Sequence, residues 1–145
     1  MAGIGDTNRV ATIFDHIVTE GLVYPSLAAG AAVQTAALNW VLGNYAVVVP
    51  AATILSRFHI HSITIESTTW GDTAIYQVEL YHGAADVLVS QVRFSIVSGF
   101  FGNAVYPIAS TLIPGGDQVR ARAASSDGLA HQATLGVSIC YCIEV

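Results

Sequence analysis

The spacing of hydrophobic residues changes in kind near residue 30. Before that point, five apolar residues follow offsets of three, four, seven and eight, the spacing of one face of an α-helix: Val10, Ile13, Phe14, Ile17 and Val18. After it, apolar and polar residues mostly alternate, as they do along β-strands. The pattern predicts an N-terminal arm over residues 1–31, made of a short helix and an extended connector, and a β-sandwich domain over residues 32–145.

Eight stretches of the second segment have strand-like patterns, and turns rich in Gly, Pro, Asn or Asp separate several of them. They cover residues 32–41, 45–49, 57–67, 74–82, 87–97, 104–112, 118–124 and 133–144. Short strands at this spacing, with no helical pattern between them, are typical of antiparallel sandwiches rather than parallel sheets. The predicted fold is an all-β, jelly-roll-like antiparallel β-sandwich of about eight strands with an N-terminal helical arm.

The stretch RFHIHSITIE, residues 57–66, has the strongest β bias. Strict alternation would place Phe58 and Ile60 on one face and Ile63 and Ile65 on the other. Both faces would then carry bulky apolar residues, so we expect one face to pack on the core and the other against a neighbour.

The same alternation predicts which residues of two other strands face the core. On the last strand they are Val137, Ile139 and Tyr141, and on the fourth strand Val78 and Leu80. This assignment depends on an unbroken period of two, because a slip of one residue exchanges the two faces.

Composition indicates that much of the surface is buried between subunits. The hydrophobic fraction is 53% and the charged fraction 10%, against about 25% charged residues in an average soluble domain. All five basic residues are arginines, and interfaces favour Arg over Lys. We expect an obligate oligomer, a homotrimer, although a lineage bias in residue usage would give the same composition. The expected interface residues are Val10, Ile13, Phe14, Ile17, Trp40, Arg57, His59 and His61.

The charge pattern argues against nucleic-acid and membrane partners. The net charge is −5 and no cluster of basic residues is present to bind phosphates. The uncharged run between Glu20 and Arg57 contains Pro, Gly and Asn at several positions. We interpret it as buried protein rather than a membrane span. The N-terminus lacks the pattern of a secretory signal peptide.

Two pairs of residues raise the question of a metal site. His59 and His61, like Cys140 and Cys142, are two positions apart, so each pair would point to one side of a strand. If the two strands were adjacent, the four could form a Cys₂His₂ site. Structural zinc sites usually use longer Cys spacings, and free cysteines commonly behave as buried apolar residues. We therefore predict no bound metal and no cofactor.

No catalytic motif is present. The sequence lacks a nucleophile elbow, a zinc-protease motif, a phosphate-binding loop and a dinucleotide fingerprint, and we predict no catalytic residues. Trp40, Trp70 and Tyr106 could stack on a sugar, but aromatic residues are more often part of a core or an interface.

Four segments resemble small proteins of tailed bacteriophages: FHIHSITIES, YQVELYHGAADVLVSQVRF, LIPGGDQVRARAASSDG and SICYCIEV. The resemblance spans roughly residues 39–145 and consists of packing and turn motifs. It implies a virion structural component of the capsid decoration, or cement, type, which is commonly β-rich and trimeric. The His59/His61 and Cys140/Cys142 pairs depart from that pattern.

Three functional classes follow from these observations. The first is a non-enzymatic decoration protein on the phage head, made in the bacterial cytoplasm, with its own copies and the major capsid protein as partners. The second is a receptor- or carbohydrate-binding head of a tail appendage. The third is an enzyme or metal-binding module of cupin-like form. We favour the first, because a tail head usually follows a long shaft and a cupin needs several clustered His residues and a Glu.

Overall fold

Two antiparallel β-sheets make up the computed structural model, which describes residues 21–68, 74–96 and 104–141. Within these residues there are nine strands: β1 Gly21–Tyr24, β2 Ala31–Gln34, β3 Ala46–Val49, β4 Phe58–Thr68, β5 Ala74–His82, β6 Val87–Ile96, β7 Ala104–Pro107, β8 Val119–Ser125 and β9 Gln132–Tyr141. The five-stranded sheet has the order β1-β9-β4-β7, and β2 also pairs with β9. The four-stranded sheet has the order β3-β8-β5-β6. The all-β sandwich predicted from the sequence is thus confirmed.

The strands pair as a nested series around the short turn between β5 and β6. Outside that hairpin, β4 pairs with β7, β3 with β8, and β1 and β2 both pair with β9. Successive pairs belong alternately to the four-stranded and the five-stranded sheet. The chain therefore folds as one long antiparallel hairpin that is rolled into two layers.

Large apolar side chains fill the space between the two sheets. The bulkiest fully buried residues are Tyr76, Phe58, Ile54, Ile60, Ile63, Ile65, Leu80, Ile113, Leu135 and Val33. Val78, Leu80 and Val137 face this core, as their alternation predicts. The side chains of Ile139 and Tyr141 lie outside the described part of the chain.

A β-bulge in β4 corrects the expectation that both faces of this strand carry apolar residues. Ile60 pairs with Ile139 and Ser62 with Ser138, so His61 is an extra residue in the ladder. A bulge of this kind changes which face each later residue occupies. Phe58, Ile60, Ile63 and Ile65 are consequently all buried in one core, and the outer face of β4 is polar.

Three other strand predictions differ from the structure. The predicted first strand, residues 32–41, ends at Gln34 in β2, and residues 35–45 form a loop. The predicted sixth strand ends at Pro107. Gly21–Tyr24, expected in the N-terminal arm at the end of its helix and the start of its connector, forms β1 and pairs with β9. The domain boundary at residue 31 stays a prediction, and the arm helix falls outside the described residues.

A polar network holds the turn between β8 and β9. The carboxylate of Asp127 accepts hydrogen bonds from the Leu129 N–H (3.0 Å), the Ser125 hydroxyl (2.9 Å) and the His131 ring (Nε2 at 2.7 Å). The Thr35 hydroxyl joins this network to β2, since it donates to the Leu129 carbonyl and accepts from the His131 N–H. Burial alone would raise the pKa of Asp127, but the hydrogen bonds from Leu129, His131 and Ser125 outweigh it and lower that pKa.

Asp127 should therefore make the protein sensitive to acid. A carboxyl group with a lowered pKa in the folded state stabilises the fold above its unfolded pKa of about 3.9 and loses that contribution as the pH falls. We expect Asp127→Asn to lower the melting temperature at pH 7. Between about pH 5 and pH 3, the melting temperature of this variant should then fall less than that of the unchanged protein. Thermal melts of both proteins at the three pH values test this. Parallel pH profiles for the two proteins would contradict it.

No helix in the three described ranges is long and apolar enough to cross a membrane.

Candidate functional site

The outer surface of the four-stranded sheet gathers arginine and aromatic side chains from four places in the chain. Strand β8 contributes Arg120 and Arg122, which are two residues apart and so point to the same side. Strand β6 contributes Arg93, strand β5 contributes Tyr81, and the loop over residues 35–45 lays two more rings across the sheet. We call this surface the Arg–aromatic face: Trp40, Tyr45, Tyr81, Arg93, Arg120 and Arg122.

Each arginine of the Arg–aromatic face stacks on an aromatic ring. The guanidinium carbon of Arg93 lies 4.7 Å from the Trp40 ring centroid. Those of Arg120 and Arg122 lie 4.2 and 4.6 Å from the Tyr45 centroid, and Tyr45 meets Tyr81 edge to face at 5.5 Å. Such cation–π contacts are worth about 0.5–1 kcal/mol each at exposed sites. Stacking orients the planar guanidinium groups and leaves N–H edges able to meet a partner.

Main-chain hydrogen bonds fix the loop that carries the two rings. The Trp40 N–H donates to the Ser125 carbonyl (2.8 Å), and the Gly43 N–H donates to the Ala123 carbonyl (2.9 Å). Arg122 Nε donates in turn to the Gly43 carbonyl (2.8 Å). The loop therefore continues along the edge of β8 that β3 occupies further on, and its rings are held over the sheet.

One carboxylate is buried on this face. Glu79 is only 8% exposed and accepts hydrogen bonds from Gln77 Nε2 (2.6 Å) and the Tyr81 hydroxyl. Burial of Tyr81, its hydrogen bond to Glu79 and the negative charge of Glu79 raise the pKa of Tyr81 to about 12. Arg122 opposes this shift only in part. Tyr81 thus remains a neutral hydrogen-bond donor throughout the physiological range.

The Arg–aromatic face keeps an excess of positive charge. Asp86 pairs with Arg120, and Glu79 is the other carboxylate that the described ranges place on this side of the sheet. Among the described residues, no carboxylate lies within ion-pairing distance of Arg93, which bonds to the Gln77 side-chain oxygen instead (3.1 Å from Nε). Counted over the described residues alone, three arginines against two carboxylates leave a local charge of +1, whereas the net charge of the chain is −5.

Exposed apolar side chains surround these charges. Trp40 itself is 44% exposed, and Val47, Ile75, Val87 and Leu88 are exposed on or beside the same sheet. Arginine and exposed aromatic residues interleaved with apolar ones are the composition of protein–protein contact surfaces. These side chains are able to make non-covalent contacts with another protein.

The structure separates the interface residues predicted from the sequence. Trp40 belongs to the Arg–aromatic face, whereas His59 and His61 lie on the outside of the five-stranded sheet. His59 Nδ1 is 3.1 Å from the Ser110 carbonyl oxygen, and His61 is exposed at the bulge. Arg57 is exposed immediately before β4. The arm residues Val10, Ile13, Phe14 and Ile17 fall outside the described residues, and an interface role for all eight stays a prediction.

The interface residues predicted from the sequence did not include Arg93, Arg120 and Arg122. The alternation in VRARA does place Arg120 and Arg122 on one side of a strand. Nothing local in the chain connects them with Arg93 or Trp40, because the sheet order brings these residues together.

Two of the four residues considered as metal ligands are neighbours in the sheet. Strands β4 and β9 are adjacent, and His59 is paired in register with Cys140. In the part of the chain that the structure describes, no three His, Cys, Asp or Glu side chains are grouped closely enough to hold a metal ion. Cys142 lies beyond that part, so the absence of a metal stays a prediction.

Tyr106 packs against the core, whereas a sugar-binding ring would have an accessible face on which the sugar could stack. Its ring stacks on Phe94 with centroids 4.9 Å apart, and burial raises its pKa. Trp70 is not among the described residues.

Three solved structures are similar to this chain at low sequence identity. No protein-family model matches the sequence, and no curated protein matches it. Structures of infectious bursal disease virus, strains Gx and Gt, are similar with TM-scores of 0.46 and 0.39 and identities of 12% and 8%. A VP2 subviral particle of the same virus has a TM-score of 0.38 at 10% identity. Each similarity covers 86% of this chain and 32–33% of the other, so the chain spans about a third of their length.

Proposed function

We propose that this protein is a non-enzymatic virion structural protein of the capsid decoration type. It would stabilise a phage head from the outer surface, after synthesis in the bacterial cytoplasm. Its partners would be two further copies of itself, forming a trimer, and the major capsid protein. The contacts would come from the outer β surfaces and the N-terminal arm.

The nested strand pairing is the observation that carries this proposal. An antiparallel hairpin rolled into two sheets, with pairs alternating between them, is the connectivity of a jelly roll, a fold that recurs in viral capsids, lectins and cupins. Cupin-like chemistry needs polar ligands inside the barrel, whereas here Tyr76, Phe58, Ile63 and Leu80 fill the interior. Because the inside is packed with apolar side chains, we place the function on the outside.

The outer surface supports an assembly role. The charged fraction of the whole chain, 10%, is low for a soluble domain, and the Arg–aromatic face carries the side chains favoured at protein interfaces. The resemblance of residues 39–145 to small proteins of tailed phages points in the same direction. A catalytic role would require a reactive group, and the polar side chains of this face are instead hydrogen-bonded or stacked on one another.

Copy number in purified virions tests the proposal. Quantitative mass spectrometry of particles of the encoding virus should find this protein at a level comparable to the major capsid protein. A few copies per particle would indicate the tail appendage instead. Absence from washed particles that carry their normal proteins would overturn a virion role altogether.

Removal of the arm should separate folding from assembly. Deletion of residues 1–20 should leave the sandwich folded, since the described residues from Tyr24 to Val137 already form a continuous core, but it should weaken self-association or capsid binding. Circular dichroism checks the fold and sedimentation velocity checks the mass. A truncated protein that assembles and binds heads like the full chain would contradict a role for the arm.

A further inference from the structure

We propose that the Arg–aromatic face of one copy binds the acidic N-terminal segment, residues 1–20, of another copy. The inference rests on the proposed function only in requiring that the protein self-associates. It specifies which two surfaces meet, and it can hold whether or not the protein occurs in a virion.

Charge complementarity identifies the segment. Residues 1–20 contain Asp6, Asp15 and Glu20 against Arg9, so three acidic groups and one basic group give a charge of −2. Among the described residues, the carboxylates outside the Arg–aromatic face have hydrogen-bond partners: Glu66 with the Gly30 N–H, Asp117 with His82, and Asp127 with His131. The N-terminal segment is therefore the richest source of acidic groups for a positive surface.

The geometry of the arginines suits carboxylate recognition. A guanidinium group offers parallel N–H donors that match the two oxygens of a carboxylate. Stacking on Trp40 restrains Arg93 before any partner arrives, which lowers the entropic cost of binding. Arg93 is also exposed and hydrogen-bonded to a neutral amide, so its charge is available to an incoming acidic group.

The apolar residues of the N-terminal segment could pack on the exposed apolar residues of and beside the Arg–aromatic face. The predicted helical stripe of Val10, Ile13, Phe14 and Ile17 needs an apolar surface to be stable, since a helix of this length is marginal alone. Trp40 and Leu88, both exposed, provide such a surface beside the arginines.

The position of Gly21 favours binding to another copy. The segment joins β1 at the edge of the five-stranded sheet, whereas the Arg–aromatic face covers the outside of the opposite sheet. A segment that passes to the next copy need not turn back around the edge of its own sandwich. Repeated head to tail, such a contact forms a ring where the rotation from copy to copy closes, and a threefold rotation would give the proposed trimer.

Full-length variants with one defective surface each provide the test. The face variant is Arg93→Glu, and the segment variant combines Asp6→Asn, Asp15→Asn and Glu20→Gln. Each should raise the dissociation constant of the oligomer at least tenfold in sedimentation velocity, while far-UV circular dichroism still shows the folded sandwich. Val105→Glu, which adds a negative charge at an exposed position of the other sheet, should leave the mass unchanged. Arg93→Gln replaces Arg93→Glu if the latter fails to fold.

Mixing the two defective proteins distinguishes binding between copies from binding within one copy. The face variant still has an acidic segment, and the segment variant still has an intact face. An equimolar mixture should therefore form mixed dimers at concentrations at which each variant by itself is monomeric. No association in the mixture would overturn binding between copies. If the face variant and the segment variant each self-associate like the unchanged protein, the contact itself is overturned. If the mixture associates as expected but the protein is absent from virions, only the proposed function is overturned.

Discussion

Ile63→Ala should lower the melting temperature by roughly 6–15 °C. Ile63 is fully buried on β4 between the two sheets, and truncation of a buried isoleucine to alanine costs about 2–5 kcal/mol in lost burial and cavity formation. For a domain of this size, 1 kcal/mol corresponds to roughly 3 °C. Thermal and urea unfolding followed by circular dichroism would measure both quantities.

Ile75→Ala is the matched control, because it removes the same atoms from the outside of the four-stranded sheet. Ile75 is 42% exposed, so its truncation should cost under about 1 kcal/mol. The pair also tests the bulge in β4, since strict alternation from Phe58 would place Ile63 on the outer face. Equal destabilisation by the two variants would show that Ile63 does not face the core.

Gly43→Ala should destabilise the protein by about 3 kcal/mol and disturb the Arg–aromatic face as well. A Cβ atom at residue 43 would overlap the main-chain carbonyl oxygen of Gln34. A main-chain group cannot rotate away as a side chain can, so the loop must shift, at a cost at the upper end of that for overpacking. The shift would strain the hydrogen bonds that Gly43 makes with Ala123 and Arg122, and with them the position of Tyr45.

Gly116→Ala separates this steric effect from the general cost of replacing glycine. Gly116 has a φ of +84°, and a Cβ built there meets no atom within 4 Å. Its replacement should cost only the left-handed backbone term of about 1 kcal/mol and should leave the oligomeric mass unchanged. Free energies of unfolding and sedimentation velocity for both variants check the comparison. Similar values for the two glycines would contradict the close approach of Gly43 to β2.

Most strands could be predicted because their signals are local. The bounds of β5 agree with residues 74–82 of the sequence pattern, since turn-prone residue types flank a stretch with regular alternation in the sequence. β1 was not predicted as a strand. Its four residues end before Pro25, and pairing with β9 at the far end of the chain stabilises them. Residues 35–41 have the apolar character of a strand but belong to the loop over residues 35–45. This loop meets β8 through single hydrogen bonds from Trp40 and Gly43 instead of a continuous ladder.

By itself, the sequence determined the all-β class, the positions of the later strands and the shortage of surface charge, since each follows from residue types and their spacing along a few positions. Only the tertiary structure decided the bulge at His61, which exists because β4 is paired with β9. The same holds for the Arg–aromatic face, where the order β3-β8-β5-β6 brings Arg93 from one strand, Arg120 and Arg122 from another, and Trp40 from a loop onto one surface. The physical reason is that alternation specifies which side of its own strand a residue occupies, whereas strand pairing specifies which distant residues share that side.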